Sequence, residues 1–199
     1  MPMSAHRVRR VCVFCGSSPG AHPDYARAAR ETGAALAKES IGLVYGGGRT
    51  GLMGEIADAV LRAGGEVIGV IPEHLKAREI AHTGLSDLRV VSSMHERKAM
   101  MADLADGFIG LPGGLGTFEE FFEVATWSQL GIQTKPTALL NVRGYYDLLD
   151  RFLAHAVGEG FLRPESRALI AISDEFSVLL EALRSFRPLA EKWLTPAER

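Results

Sequence analysis

The stretch Gly110-Leu111-Pro112-Gly113-Gly114-Leu115-Gly116-Thr117-Phe118-Glu119-Glu120 decides how this chain is read. It continues an apolar run, residues 107–111, that reads as a buried strand. It precedes residues 118–130, whose apolar spacing predicts a helix. The order is therefore strand, glycine turn, helix start. Three glycines allow the backbone to take positive φ and to approach a ligand closely. The helix start adds unpaired N–H groups and the positive end of the helix dipole. Together these predict an anion site, most naturally for phosphate. Thr117 and Glu120 have the spacing of a capping box, so Glu120 either tidies the helix end or carries chemistry.

Working outward, the same alternation recurs. Strands are predicted at 11–15, 41–45, 66–71, 88–91, 107–111, 137–142 and 168–172. Helices are predicted at 23–38, from the second glycine turn to about 62, 93–105, 118–130, 145–157 and 174–184. Residues 73–87 read as a loop with a short helix. Apolar strands alternating with amphipathic helices predict an α/β fold, a three-layer Rossmann-like parallel sheet of about seven strands with helices on both faces. No linker or repeat divides the 199 residues, so one nucleotide-binding domain is expected over 1–199, with a core at about 11–184 and a polar tail at 185–199. In such sheets ligands bind at the carboxyl ends of the strands where the winding reverses. Both glycine turns and the Gly16-Ser17-Ser18 turn should meet there.

Composition limits the partners. A hydrophobic content of 47% and a net charge of −2 fit a globular chain without a basic field, so no nucleic-acid or membrane surface is expected. The apolar stretch after the basic start is too short for a signal sequence, and the expected location is cytoplasmic. Cys12 and Cys15 lie three apart on a predicted strand, point to opposite faces and should not bridge. The six histidines show no metal spacing, and no lysine context specifies a cofactor; none is expected. No nucleophile elbow is present.

Two further motifs carry weight. Gly46-Gly47-Gly48-Arg49-Thr50-Gly51 fits a dinucleotide fingerprint, but it follows the second strand and lacks the usual acid about 20 residues on. A structural or mononucleotide-contacting turn fits it better than a site for a nicotinamide cofactor. In Ser93-Met94-His95-Glu96-Arg97-Lys98, Ser93 and Glu96 have capping-box spacing. Arg97 and Lys98 fall in the first helical turn, where cations oppose the dipole at about 0.3–1 kcal/mol each. An anionic ligand or carboxylate would offset that cost; so would solvent, or a local pair with Glu96 or Asp103.

The motif Pro112-Gly113-Gly114-x-Gly116-Thr117-x-x-Glu120 resembles the signature of the LOG ("lonely guy") family, cytokinin riboside 5′-monophosphate phosphoribohydrolases long labelled as lysine decarboxylases. Cys15-Gly16-Ser17-Ser18, the Gly46-Gly47-Gly48 turn with Gly51-Leu52-Met53-Gly54, and Met94-His95-Glu96-Arg97-Lys98 are similar to its other motifs, in the same order. The resemblance runs from about Val11 to Leu183. It implies a homodimer that hydrolyses the N-glycosidic bond of a nucleoside 5′-monophosphate, AMP included. Arg97 and Glu120 match the family's catalytic pair. Glu79, Arg97, Lys98, Gly113, Gly114, Leu115, Gly116, Thr117, Phe118, Glu119, Glu120 and Thr126 match its ligand-contacting positions. Ser17, Gly47, Gly48 and Met94 are further candidate contacts. A non-catalytic nucleotide-binding module of the same fold is the alternative.

Overall fold

The computed structural model describes residues 7–77 and 80–188. Glu79 and the tail from 189 lie outside the described residues. Seven strands are described: β1 (Arg10–Phe14), β2 (Gly42–Tyr45), β3 (Val67–Pro72), β4 (Asp87–Val91), β5 (Gly107–Gly110), β6 (Thr137–Leu140) and β7 (Ile170–Ser173). The helices are α1 (Pro23–Lys38), α2 (Gly51–Arg62), α3 (Met94–Leu104), α4 (Leu115–Gln129), α5 (Asp147–Gly158), α6 (Pro164–Arg167) and α7 (Phe176–Ser185). The strands pair in the order β4-β3-β2-β1-β5-β6-β7, all parallel. The winding runs outward from β1 to β4, then returns to β5 on the other side of β1. The switch point is thus between β1 and β5, directly below the Pro112–Gly116 turn.

The period of two along β1 builds the two cores. Val11, Val13 and Cys15 face one core with residues of α1, α2 and α7. Cys12 and Phe14 face the other with residues of α3, α4 and α5. The two cysteines therefore lie in different layers, both as free buried thiols. Phe14 stacks on Phe108 at 6.0 Å between ring centres, on the diagonal of the β1–β5 pair, two residues from the Cys12 that lies opposite Phe108. Fully burying a side chain such as Phe108 or Phe121 contributes about 1.5–3 kcal/mol. On the opposite face α1 sits close against α2, since a Cβ on Gly33 would lie 2.6 Å from the Ile56 carbonyl oxygen.

Several boundaries differ from the sequence-based expectation for local reasons. α4 begins at Leu115 rather than Phe118, because Gly114 takes the extended cap conformation and the next residues already turn. Thr117 is thus the third helical residue and not the cap, and the Thr117–Glu120 capping box does not form. At α3 the box forms by half. Ser93 Oγ accepts from the Glu96 N–H at 3.2 Å, while the Glu96 carboxylate passes back to the Ser92 N–H at 2.8 Å and Ser92 Oγ at 2.7 Å. α6, opened by Pro164, was not expected and delays β7 to Ile170. β6 stops at Leu140; a 3₁₀ turn at Val142–Gly144, with Arg143 at φ 56°, moves the start of α5 to Asp147.

Candidate active site

The three turns predicted to converge do so at the ends of β1, β2 and β5. The Gly16 N–H donates to the Pro112 carbonyl at 3.0 Å, and the Leu52 N–H donates to the Gly16 carbonyl at 3.0 Å. Gly51, at φ 56°, lies on the Ser17–Ser18 peptide, where a Cβ would come within 2.4 Å. Ser17 is exposed at this junction, while Gly47 and Gly48 are buried beneath it.

The Pro112–Gly116 turn does not use its glycines as expected. None of Gly113, Gly114 and Gly116 has positive φ. Gly113 is required by packing: a Cβ there would lie 2.1 Å from Thr117 Oγ1 and 2.9 Å from the Gly16 nitrogen. Gly114 and Gly116 are different, since a Cβ on either meets no protein atom within 4 Å. Glycine in a helix costs about 0.5–1 kcal/mol relative to alanine, and nothing in the protein's own packing requires it at Gly116. Both glycines are exposed, as is Leu115, at the N-terminus of α4. The N–H groups of residues 115–117 have no intrahelical acceptor by helix geometry and aim out of the helix end. Two tyrosines hold the turn from behind. Tyr145 donates its hydroxyl to the Gly113 carbonyl at 2.5 Å, and Tyr146 donates to the Leu111 carbonyl at 2.7 Å.

Arg97 comes from α3 and is 4% exposed. Its Nη2 donates to the Gly46 carbonyl at 3.0 Å, and Nη1 lies 3.7 Å from Met94 Sδ. The local partners considered from sequence, Glu96 and Asp103, are not among these contacts. The second glycine turn is committed to the protein: the Gly46 carbonyl seats Arg97, the Gly47 carbonyl accepts from the His82 N–H, and the Arg49 N–H donates to the Ile80 carbonyl. The turn thus seats Arg97 and holds the 80–82 segment.

Glu120 is half-buried on α4. Burial, and next the negative charge of Glu120, push both the Cys12 and Cys15 thiols up; the Arg97 charge acts on Cys12 in the opposite sense. Arg97 and Glu120 thus act on the same thiol, that of Cys12 in the middle of β1. Lys98 points the other way and pairs with Glu119 and, at 3.0 Å, with Glu123. Burial alone would lower its ammonium, but the two carboxylates outweigh that and hold it above the ordinary lysine range. The pair ties α3 to α4.

Of the predicted residues, Arg97, Ser17 and the 113–120 stretch come to the ends of β1, β2 and β5, with Met94 beside the Arg97 guanidinium, while Lys98 is turned onto Glu119 and Glu123. Phe118 packs inward against Tyr146 at 6.4 Å between rings. Thr126 stands apart, exposed and about 15 Å along α4 from Gly116 at 1.5 Å per residue. Tyr145, Tyr146 and the carbonyl of Gly46 were not singled out from sequence. The only hint was a tyrosine pair opening a predicted helix, and a carbonyl partner 32 or 35 residues away leaves no local pattern.

A family model described as "Possible lysine decarboxylase" matches residues 53–183. A Rhodococcoides fascians protein named cytokinin riboside 5′-monophosphate phosphoribohydrolase is 49% identical over 178 residues, 89% of this chain and 90% of that protein. An Arabidopsis thaliana protein of the same name is 48% identical over 188 residues, 94% of this chain and 87% of that one. Among solved structures, the molybdenum cofactor binding protein of Rippkaea orientalis shares the fold, with a TM-score of 0.65 at 20% identity over 90% of this chain and 97% of that one. On both sequence matches, the chain belongs to the family of cytokinin riboside 5′-monophosphate phosphoribohydrolases.

Proposed function

We propose that this protein hydrolyses the N-glycosidic bond of cytokinin riboside 5′-monophosphates, that is N6-modified AMP, and of AMP itself, releasing the free base and ribose 5-phosphate. The observation that carries the reading is the pair Gly114 and Gly116, unconstrained by protein packing, at a helix start on the switch point of the sheet. Relatives at about half identity bear the name of that activity.

The 5′-phosphate lies on the N–H groups of residues 114–117, against the helix dipole. Gly116 and Glu120 are four apart, hence on one face of α4 and about 6 Å along its axis. Side chains on a helix lean toward its N-terminus, so the Glu120 carboxylate leans back to the sugar of a nucleotide held at the turn. As the C1′–N9 bond breaks, its electron pair leaves with the base and positive charge builds on the ribose. The carboxylate stabilises that charge. Water adds to C1′ and gives up a proton, with Glu120 as acceptor, and the base takes a proton from solvent. Arg97 keeps Glu120 ionised and oriented, and Lys98 fixes Glu119 away from the reacting centre. The active form is a cytoplasmic homodimer of single-domain chains. Exposed Leu148, Phe152 and Phe161 around α5 supply an apolar face for the second copy.

Chromatography of products after incubation with AMP and with N6-isopentenyl-AMP tests the reading. Wild type releases base and ribose 5-phosphate, while Glu120→Gln binds nucleotide and loses about 10²-fold or more in turnover. Saturable AMP binding without base release would leave a nucleotide-binding module instead.

A further inference from the structure

We propose that His82 and Asp58 form a positioning pair that braces the Gly46–Arg49 turn and thereby sets Arg97; this rests on the phosphoribohydrolase reading above. His82 is 4% exposed, and both ring nitrogens are engaged. Nδ1 accepts from the Gly84 N–H at 3.2 Å, so the proton sits on Nε2, which donates to Asp58 Oδ1 at 2.8 Å. Asp58 lies on α2, the helix that the same glycine turn opens. The ring therefore ties the loop after β3 to the body of α2.

That loop is attached to the turn by its main chain as well. The His82 N–H donates to the Gly47 carbonyl at 2.9 Å, the Arg49 N–H donates to the Ile80 carbonyl at 3.0 Å, and Gly48 bridges Ala81 in antiparallel sense. Residues 80–82 thus lie as a strap along residues 47–49. Ile80 is held at φ 49° although β-branched, a strained conformation that persists only where its surroundings over-determine it. The buried imidazole is the anchor nearest that strain. The neighbouring carbonyl, that of Gly46, is the one that receives Arg97 Nη2. A linked series of contacts runs from Asp58 through His82, the strap and the turn to the guanidinium. Neither His82 nor Asp58 has a role in the chemistry itself, so their effect passes through Arg97.

The test compares steady-state kinetics on N6-isopentenyl-AMP for wild type, His82→Ala, Asp58→Ala, Asp58→Asn, Arg97→Lys and the double variant His82→Ala/Arg97→Lys. The two alanine variants lose about tenfold or more in kcat while KM stays within about threefold. Asp58→Asn restores most of kcat, because its amide oxygen still accepts from Nε2–H. In the Arg97→Lys background, His82→Ala has little further effect, as expected for residues acting through one contact. Undiminished kcat in the alanine variants overturns the inference, and so does the same fold-loss in both backgrounds. If His82→Ala does not fold, Asp58→Ala, altered at a half-buried carboxylate, carries the same comparison. A wild-type protein without turnover overturns the phosphoribohydrolase reading and this inference with it; active wild type with unaffected variants overturns this inference alone.

Discussion

Arg97 Nη2 and the Gly46 carbonyl meet at 3.0 Å across a sequence separation of 51 residues. The contact needs glycine: a Cβ on residue 46 would lie 1.9 Å from Nη2. A guanidinium buried this deeply is costly unless its N–H groups are satisfied. Gly46→Ala must therefore push the guanidinium out of its seat. The expected result is a loss of about 10²-fold in kcat on N6-isopentenyl-AMP, since a displacement near 1 Å can cost that much. Overpacking should also destabilise the fold by about 1–3 kcal/mol. Kinetics and thermal melting of the same preparation check both. Full activity in the alanine variant would show that Arg97 can act from elsewhere.

Gly116→Ala should move stability and function in opposite directions. A Cβ there meets no protein atom within 4 Å, and the backbone is compatible with alanine. Removing a glycine from a helix should stabilise by about 0.5–1 kcal/mol, a rise in melting temperature. On the proposed reading the added methyl would stand where the phosphate binds, so KM for AMP should rise at least about tenfold. A stabilised variant with unchanged KM would mean that the nucleotide is held elsewhere.

The parts of this molecule written in local pattern were legible in the sequence. Seven strands, their alternation with helices, and the convergence of three turns follow from apolar periodicity and glycine placement. So did the opposite facing of Cys12 and Cys15. The resemblance to a known family then assigned Arg97 and Glu120 to one site, a pairing no spacing could give. What stayed hidden is long-range or conformational. The sequence could not say that Gly46 makes room for Arg97 and Gly113 for Thr117, while Gly114 and Gly116 yield to no protein atom. Thr117 looked like a cap because its spacing to Glu120 is right. Gly114 was already extended, and a glycine can take the cap position without a side chain to announce it.

Tyr145 follows the turn after β6, the strand next to β5, and its hydroxyl holds the Gly113 carbonyl at 2.5 Å. With that carbonyl fixed, the next N–H groups keep their outward aim. Tyr145→Phe removes one hydrogen bond and should cost about 0.5–1.5 kcal/mol in stability. The phenyl ring retains its edge contact with Tyr25, so the fold should persist. Phosphate binding should suffer more than catalysis: KM rises a few-fold, about 2- to 10-fold, with kcat close to wild type. Titration with inorganic phosphate provides a second reading of the same site. Equal affinity in variant and wild type would remove the tyrosine from the site.

Acid should loosen the start of α3 through Glu96. Its carboxylate takes hydrogen bonds from Ser92 Oγ and from the Ser92 N–H, which together hold it below the usual glutamate range. A group whose folded pKa is depressed contributes stability above its unfolded value, near about pH 4.3, and loses it as the pH falls through the folded value. Glu96→Gln should therefore melt lower than wild type at neutral pH, with the gap closing as the pH falls below about 4. Arg97 is the next residue, so turnover of the variant should also fall. Melting curves over that pH range decide the matter: a gap independent of pH would show that the Glu96 charge does not support the helix start that presents Arg97.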